Sequence, residues 1–446
     1  MKKIGYALSI SLILFVTLEI EAAEFAKQFG VTSAGVDGKA MARSKSGAGR
    51  SLIVSGSMTL APNKQVYIHE LSNTGSVVSQ VKVYRTPVLG QDVSVTAADI
   101  ASGASGSNDT YAIVGKYNVY QTSPDNNDAF IYAFNTTGNY QYRAGDGLED
   151  KFEAIEPISD GYVVTGTHGT STSQNLLVGV VNKTSGFVWL KSYNFFDNLN
   201  SVNLDDNAYD IAVVTGGYLV VGSTNVIGST RRRGFVIKLD TSGNVSWFNT
   251  LQDTTRNIDF YSVSAISTGF VDDFIIYVSG SAGNDSFFAN LGNNGNLQWY
   301  TCLDFASGDK VESSTIAGGL VGTIFTGSNI NVVQLNTSNG AVNWAKYLIQ
   351  TNTNYPKRMA VASDGDLLIS AATTPASGND NSVALKTTNN FGGLACSTNT
   401  LTYNTVSLNL SNNIQNTTIQ SPFSVSSTGS DVNNVTAMTS VSDECP

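Results

Sequence analysis

Charge, histidine and cysteine are all scarce in this 446-residue chain, and each shortage removes a class of function. Asp, Glu, Lys and Arg make up only 13% of the residues, and 35 acidic against 25 basic side chains leave a formal net charge of −10. Nucleic-acid binding needs a positive surface that releases phosphate counterions, so it is not expected, and an anionic membrane surface is disfavoured for the same reason. The two histidines, His69 and His168, have no metal-ligand spacing between them, which speaks against a zinc site. No cofactor is expected. Beyond the first 20 residues, nothing approaches the 18 apolar residues in a row that a membrane span requires.

The start of the chain has the form of an export signal. Lys2 and Lys3 precede a largely apolar run from Ile4 to Leu18, followed by the small residues Ala22 and Ala23. Residues 1–23 therefore read as a signal peptide, and the protein as secreted or held at the cell surface or periplasm. Ile20 and Glu21 stand where a cleavage site prefers small residues, so an uncleaved anchor is the alternative. In an exported protein Cys396 and Cys445, which bracket the last segment, are the expected disulfide. Closing a loop of roughly 50 residues would contribute about 4 kcal/mol in the chain-entropy model. Cys302, in "WYTCLDF", reads as a half-buried small hydrophobe, since no histidine lies near it in sequence to activate a thiol.

What the chain does have is a repeat. A short apolar run recurs as "SLIVSGS", "YAIVGKY", "YVVTGTH", "YLVVGST", "IYVSGSA", "TIFTGSN" and "LLISAAT", anchored at Gly56, Gly115, Gly166, Gly222, Gly280, Gly327 and Ala371. Each is followed by a second run ending in a tight turn, as in "FVIKLDTSG", where Gly75, Gly138, Gly186, Gly243, Gly295 and Gly340 are expected to take positive φ. A third element carries an aromatic, at Tyr142, Trp189, Trp247, Trp299 and Trp344; all four tryptophans of the chain occupy this one position, which points to packing between repeats. One more strand precedes each first run, as in "DNAYDIAVV" and "DKFEAIEPI". Four antiparallel strands cannot bury both faces alone, and radial stacking of seven such sheets solves the problem. The predicted fold is all-β, a seven-bladed β-propeller over residues 24–395.

The seventh copy breaks down at "NNFGGLACS", where its last strand is due. "AAEFAKQFG" near the N-terminus is similar to "NWAKYL" and "VWLKSYN", with Phe25 in the aromatic place. The N-terminal strand is therefore expected to close the ring beside Leu385 and to cover an edge otherwise open to other chains. Residues 396–446 lie outside the repeat. Alternation of Leu401, Tyr403, Val406, Leu408 and Leu410 with polar residues predicts a small β-rich appendage, or else an extended strap.

Blades of the form apolar run, loop, "KLDTSGNVSW", then an acidic residue opening the next unit, resemble the secreted bacterial and archaeal surface proteins built from β-propeller repeats. The resemblance covers about residues 24–395 and implies the fold, with binding rather than catalysis. "LNTSNGAVNW" is also similar to the tryptophan-docking motif of quinoprotein dehydrogenases, but no vicinal cysteine pair accompanies it; the Asp-x-Gly spacing of sialidase turns is absent, since Asp240 and Gly243 are separated by two residues.

Two sets of residues stand out as candidate sites. Asp37, Asp92, Asp150, Asp206, Asp259 and Asp309, with Asn354 in the last copy, recur ahead of the first strand and could ring a channel mouth, holding a hydrated cation or a basic ligand. The alternative is that each caps backbone amides between blades. Arg231, Arg232 and Arg233 form a strong basic cluster on a variable loop and could engage a carboxylated glycan. The expected function is non-catalytic binding, adhesion or scaffolding, with an extracellular protein or polysaccharide as partner. A carbohydrate-active enzyme with two carboxylates at the channel mouth, or a surface-layer subunit, are the alternatives.

Overall fold

The computed structural model describes residues 25–30, 37–43, 51–60, 63–72, 74–83, 94–103, 109–118, 127–135, 138–145, 148–170, 173–182, 185–197, 202–203, 205–225, 231–268, 270, 273–305, 309–325, 329–348, 353–362, 364–374, 381–388, 398–400, 402, 404–413, 417–422, 425–427, 432–433 and 440–443. Within them every element is a strand. The leader, Asp92, Cys396 and Cys445 lie outside the described residues.

After β1 (Phe25–Gly30) come four-strand meanders: β2–β5 (Asp37–Arg43, Ser51–Leu60, Asn63–Leu71, Val77–Val83), β6–β9 (Ser94–Ser102, Asp109–Asn118, Asn127–Asn135, Gly138–Ala144) and β10–β13 (Glu149–Ile158, Gly161–Thr170, Ser173–Asn182, Gly186–Asp197). A two-residue strand β14 (Val202–Asn203) precedes β15–β18 (Asp206–Val214, Gly217–Asn225, Arg232–Leu239, Val245–Asp253), β19–β22 (Ile258–Ser267, Phe274–Ala282, Asp285–Leu291, Leu297–Asp304) and β23–β26 (Lys310–Ile316, Leu320–Phe325, Ile330–Leu335, Val342–Leu348). The last unit, β27–β29 (Thr353–Val361, Leu367–Thr374, Asn381–Thr387), has three strands of its own and takes β1 as its fourth, antiparallel to β29 with Ala26 opposite Leu385. Two of the meanders, β6–β9 and β10–β13, share one hydrogen-bonded sheet through a single parallel contact of Glu149 with Asn127.

Successive units pack face against face. First strands touch in order, β2 with β6, β6 with β10, then β15, β19, β23 and β27, and β27 contacts β2. The core is divided accordingly. One apolar cluster holds Phe152, Tyr162 and Leu177 against Val114 and Ile131, the next holds Tyr193 and Phe195 against Phe235 and Phe248, and the next holds Phe260 and Phe287 against Val221 and Val236. Each buried Phe or Leu of these layers contributes roughly 1.5–3 kcal/mol. A meander is hydrophobic on both faces, so the repeat is stable only between neighbours.

Two details of the repeat have steric causes. A Cβ at the anchor glycines Gly115, Gly166, Gly222 or Gly280 would sit 1.8–2.0 Å from a first-strand carbonyl oxygen, so the second strand tolerates no side chain there. The turn glycines Gly243, Gly295 and Gly340 have φ of 70–78° and lie under Trp189, Trp247 and Trp299 of the preceding unit. The indole Nε1 of Trp189 donates to the Thr241 carbonyl at 3.0 Å, and that of Trp299 to Thr337 at 3.1 Å. The recurring tryptophan is thus a lock between units that bonds to one turn and covers its glycine.

The C-terminal segment builds no sheet of its own among the described residues. Its strands β30–β36 (Thr398–Thr400, Asn404–Thr405, Leu410–Asn413, Thr417–Pro422, Val425–Ser427, Val432–Asn433, Ser440–Asp443) pair antiparallel with β26, β22, β18, β13, β9, β5 and β1 in turn. The tail therefore runs backwards past every unit and supplies a fifth strand to each. That is the strap rather than the separate appendage, and its physical role is plain: outermost strands carry unpaired amides and carbonyls that would otherwise template association.

Candidate functional site

The site begins with an irregularity repeated in every first strand. The register against the second strand slips by one residue at Lys39, Ala98, Glu153, Tyr209, Tyr261, Glu312 and Lys357. A β-bulge of this kind re-aims a side chain out of the alternation. The bulged residues converge: together with Lys116, Lys151 and Arg358 they line one polar cavity of about 310 Å³. A second cavity of about 270 Å³, lined by Asp99, Glu156, Asp210, four serines of β19 and β23 and residues beyond the bulges, continues on the other side of Arg358. The first strands thus line two chambers with a guanidinium between them.

Arg358 is held from three neighbouring strands. Its Nη1 lies 3.2 Å from Asp210 and its Nη2 3.6 Å from Asp99, and Nη2 also donates to the carbonyls of Glu153 and Tyr209, each at 3.2 Å. Asp99 accepts from the Ile155 amide, and Asp210 from Ser262 Oγ and the Val263 amide, so each carboxylate ties its strand to the next. Ser262 accepts from the Ser314 amide and Ser313 from the Met359 amide, which carries the same stitch onward. Burial pushes the Asp99 carboxyl up to about 6, against the pull of Arg358. Glu156 lies exposed on the wall of the second chamber, and desolvation by the surrounding protein, with Asp210 and Asp99 nearby, raises its carboxyl to about 8. The guanidinium stays protonated throughout, its cost of burial outweighed by these acids.

The outer chamber is chemically different. Lys39, Lys116, Lys151 and Lys357 face Glu153 and Glu312 across it, with the rings of Tyr209 and Tyr261 packed at 5.1 Å on one side. Lys151 pairs with Glu153 at 2.7 Å, and Lys310 with Glu312 at 2.8 Å while lying 5.3 Å from the Tyr261 ring centre. On a chain of net charge −10, this mouth carries a local excess of ammonium groups.

The repeated aspartates predicted from sequence lie elsewhere. Asp37 opens β2 opposite Gly56. Asp150, Asp206, Asp259 and Asp309 are all buried and none lines either chamber. Asp150 meets His168 Nδ1 at 2.7 Å; Asp206 accepts the Phe195 amide at 2.8 Å and Asp309 that of Phe305 at 2.5 Å. Asp259 is gripped by Arg232 through Nε and Nη2, at 2.6 and 2.7 Å. These four aspartates are thus taken up by neighbouring groups of the fold, and it is the bulge a few residues further along each strand that turns side chains into the chambers. Burial lifts the Asp206 carboxyl to about 8, opposed by its bonds to Phe195 and Thr224. Among the described residues no group of three or more His, Cys, Asp or Glu could hold a metal ion.

Arg231, Arg232 and Arg233 do not act together. Arg232 is engaged by Asp259, Arg233 pairs within the sheet opposite Thr224, and exposed Arg231 borders a shallow depression with Arg256 and Asp285, which pair with each other. Two sets expected to be separate are in fact partners. The chamber residues escaped the sequence reading, although a signal exists: in "FEAI", "AYDI", "FYSV" and "VESS" a polar or aromatic residue interrupts the alternation at one fixed place.

Comparison with known proteins places these observations as follows. No protein-family model and no curated protein sequence matches the chain. Among solved structures it is similar to Sqt1 from Chaetomium thermophilum, with a TM-score of 0.45 and 9% identity over 83% of this chain and 98% of that one. Sqt1 bound to the N-terminus of ribosomal protein L10 gives 0.42 and 10% over 81% and 98%. A subtype N10 neuraminidase-like protein of A/little yellow-shouldered bat/Guatemala gives 0.33 and 11% over 59% and 90%.

Proposed function

We propose that the chain is a seven-bladed β-propeller, closed by β1, that is exported and acts as a non-catalytic binding module for an extracellular protein or polysaccharide. The observation that carries the reading is the outer chamber: a concave polar mouth to which bulged side chains from every first strand contribute. Rigid strands present varied side chains at one place, which is how a repeat scaffold makes a recognition surface. Groups fit for proton transfer are engaged in holding the chambers together. In the inner chamber Asp99 and Asp210 share Arg358 and no aromatic residue stands among the described lining, and in the outer chamber Glu153 and Glu312, though close to Tyr209 and Tyr261, are paired with Lys151 and Lys310. That favours binding over the glycosidase alternative.

Ring closure is supported by the pairing of β1 with β29 and by the contact of β27 with β2. Export rests on Lys2, Lys3 and the apolar run to Leu18. Cell fractionation with N-terminal sequencing tests it: a mature start near residue 24 outside the cytoplasm is expected, and an intact cytoplasmic chain refutes export. Binding is tested by glycan-array screening and calorimetry with the purified chain. Saturable binding without product formation is the expected result; release of new reducing ends from a polysaccharide would overturn the non-catalytic assignment.

A further inference from the structure

We infer that the outer chamber recognises an acidic sugar residue of the hexuronate type, at the end of or branching from an extracellular polysaccharide. This inference rests on the binding function proposed above and names the ligand's chemistry. The chamber combines three kinds of group, and one ligand class uses all of them. The ammonium groups of Lys39 and Lys357, with Lys116 in a long 3.8 Å ion pair to Glu149, come from three different units and would neutralise a carboxylate as separate point charges. Glu312, across the cavity, is an acceptor suited to sugar hydroxyls. The paired rings of Tyr209 and Tyr261 give an apolar, rigid wall for the C–H face of a pyranose.

Other anions fit less well. A phosphate group is best held by bidentate guanidinium forks or a nest of backbone amides. Here the guanidinium on the floor is already bonded to two carbonyls and two carboxylates. An acidic peptide side chain could meet the ammonium groups but presents no pyranose face to the Tyr209 and Tyr261 rings. A volume of about 310 Å³ is at the low end of ligand pockets, which run from roughly 300 to 1,000 Å³, so the chamber admits one or two rings and not a strand or helix. A net charge of −10 disfavours contact with a polyanion along its length, so a chain end or side branch is the part that enters.

The test is calorimetric titration of the full mature chain with trigalacturonate, alongside maltotriose, inorganic phosphate and a tri-glutamate peptide. Trigalacturonate is expected to bind, the other three at least tenfold more weakly, and 0.5 M NaCl is expected to weaken it further. The double variant Lys39→Gln/Lys357→Gln should lose at least tenfold in affinity and Tyr261→Leu a comparable factor, each with an unchanged unfolding midpoint, while Arg231→Gln outside the chamber changes nothing. Equal binding of maltotriose, phosphate or tri-glutamate, no binding of trigalacturonate, or indifference to the lysine pair overturns the inference. If a different ligand from the array binds and ignores the lysine variants, this inference fails and the binding function stands. Cleavage of trigalacturonate with loss in the lysine variants leaves the site in place and removes the non-catalytic reading.

Discussion

Arg358 gives the sharpest test of how the two chambers are held. Its side chain is 15% exposed and makes ion pairs to Asp210 and Asp99 at 3.2 and 3.6 Å and hydrogen bonds to two bulge carbonyls. Arg358→Met keeps most of the volume and removes the charge, leaving Asp99, Asp210 and Glu156 facing one another. Taking one partner from a buried ion pair costs roughly 3–5 kcal/mol. Buried Asp99 already sits at about 6, and loss of the guanidinium raises it further. A carboxyl raised in the folded state binds its proton more tightly there than in the unfolded chain, so the variant loses stability as pH rises above about 4, at up to about 1.4 kcal/mol per pH unit for each proton involved. Urea denaturation at pH 5 and pH 8 measures this. The variant should be destabilised by about 3–5 kcal/mol at pH 8 and by only about 1–2 kcal/mol at pH 5, where lost hydrogen bonds remain. Adding Asp99→Asn and Asp210→Asn should recover much of the difference at pH 8. A cost that is the same at both pH values, or below about 1 kcal/mol at pH 8, would refute the reasoning.

Four further outcomes follow from single residues. Gly340→Ala places a Cβ 2.5 Å from Trp299 at a φ of 70°, and should cost about 2–4 kcal/mol, with a red shift in tryptophan emission reporting the opened lock. Asp206→Asn mimics the protonated acid, so the wild type should lose stability relative to the variant as pH rises from about 4 through 8, and parallel stability-pH curves would contradict this. His69 is buried and lowered to about 4, so it contributes stability above pH 6.5 that fades as pH falls towards 4; His69→Phe should flatten that part of the acid limb in thermal scans. Cys302 is buried and its thiol pushed up to about 12, so it should resist a thiol reagent at pH 8 in buffer and react promptly in denaturant.

Much of the architecture was legible because it is written in short-range terms. Alternation, turn glycines and a recurring aromatic predict strands and their order, and Gly243, Gly295 and Gly340 do adopt positive φ beneath the predicted aromatics. The missing strand of the last copy pointed to "AAEFAKQFG", and β1 does pair with β29. The site was less legible. The recurring aspartates drew attention by their regularity, but regularity in a repeat marks what every junction needs, and Asp150, Asp206 and Asp309 are taken up by a neighbouring ring or backbone amide. The lysines, tyrosines and glutamates of the mouth differ from copy to copy and so looked like surface variation.

What the sequence by itself determined is the unit: strand lengths, turns, the glycine that clears a carbonyl and the indole that covers a turn, because each depends on residues within one repeat and its neighbour. Tertiary structure alone decided which side chains meet in the two chambers and which edges the C-terminal strands pair with. A one-residue bulge reverses the direction of a side chain without altering composition, and Arg358 meets Asp99, Asp210 and the Glu153 carbonyl only because strands far apart in sequence are brought together. The tail's strands, two to six residues long, have no core of their own. Their position is dictated by unpaired edges supplied by the rest of the chain, and that information does not reside in the tail.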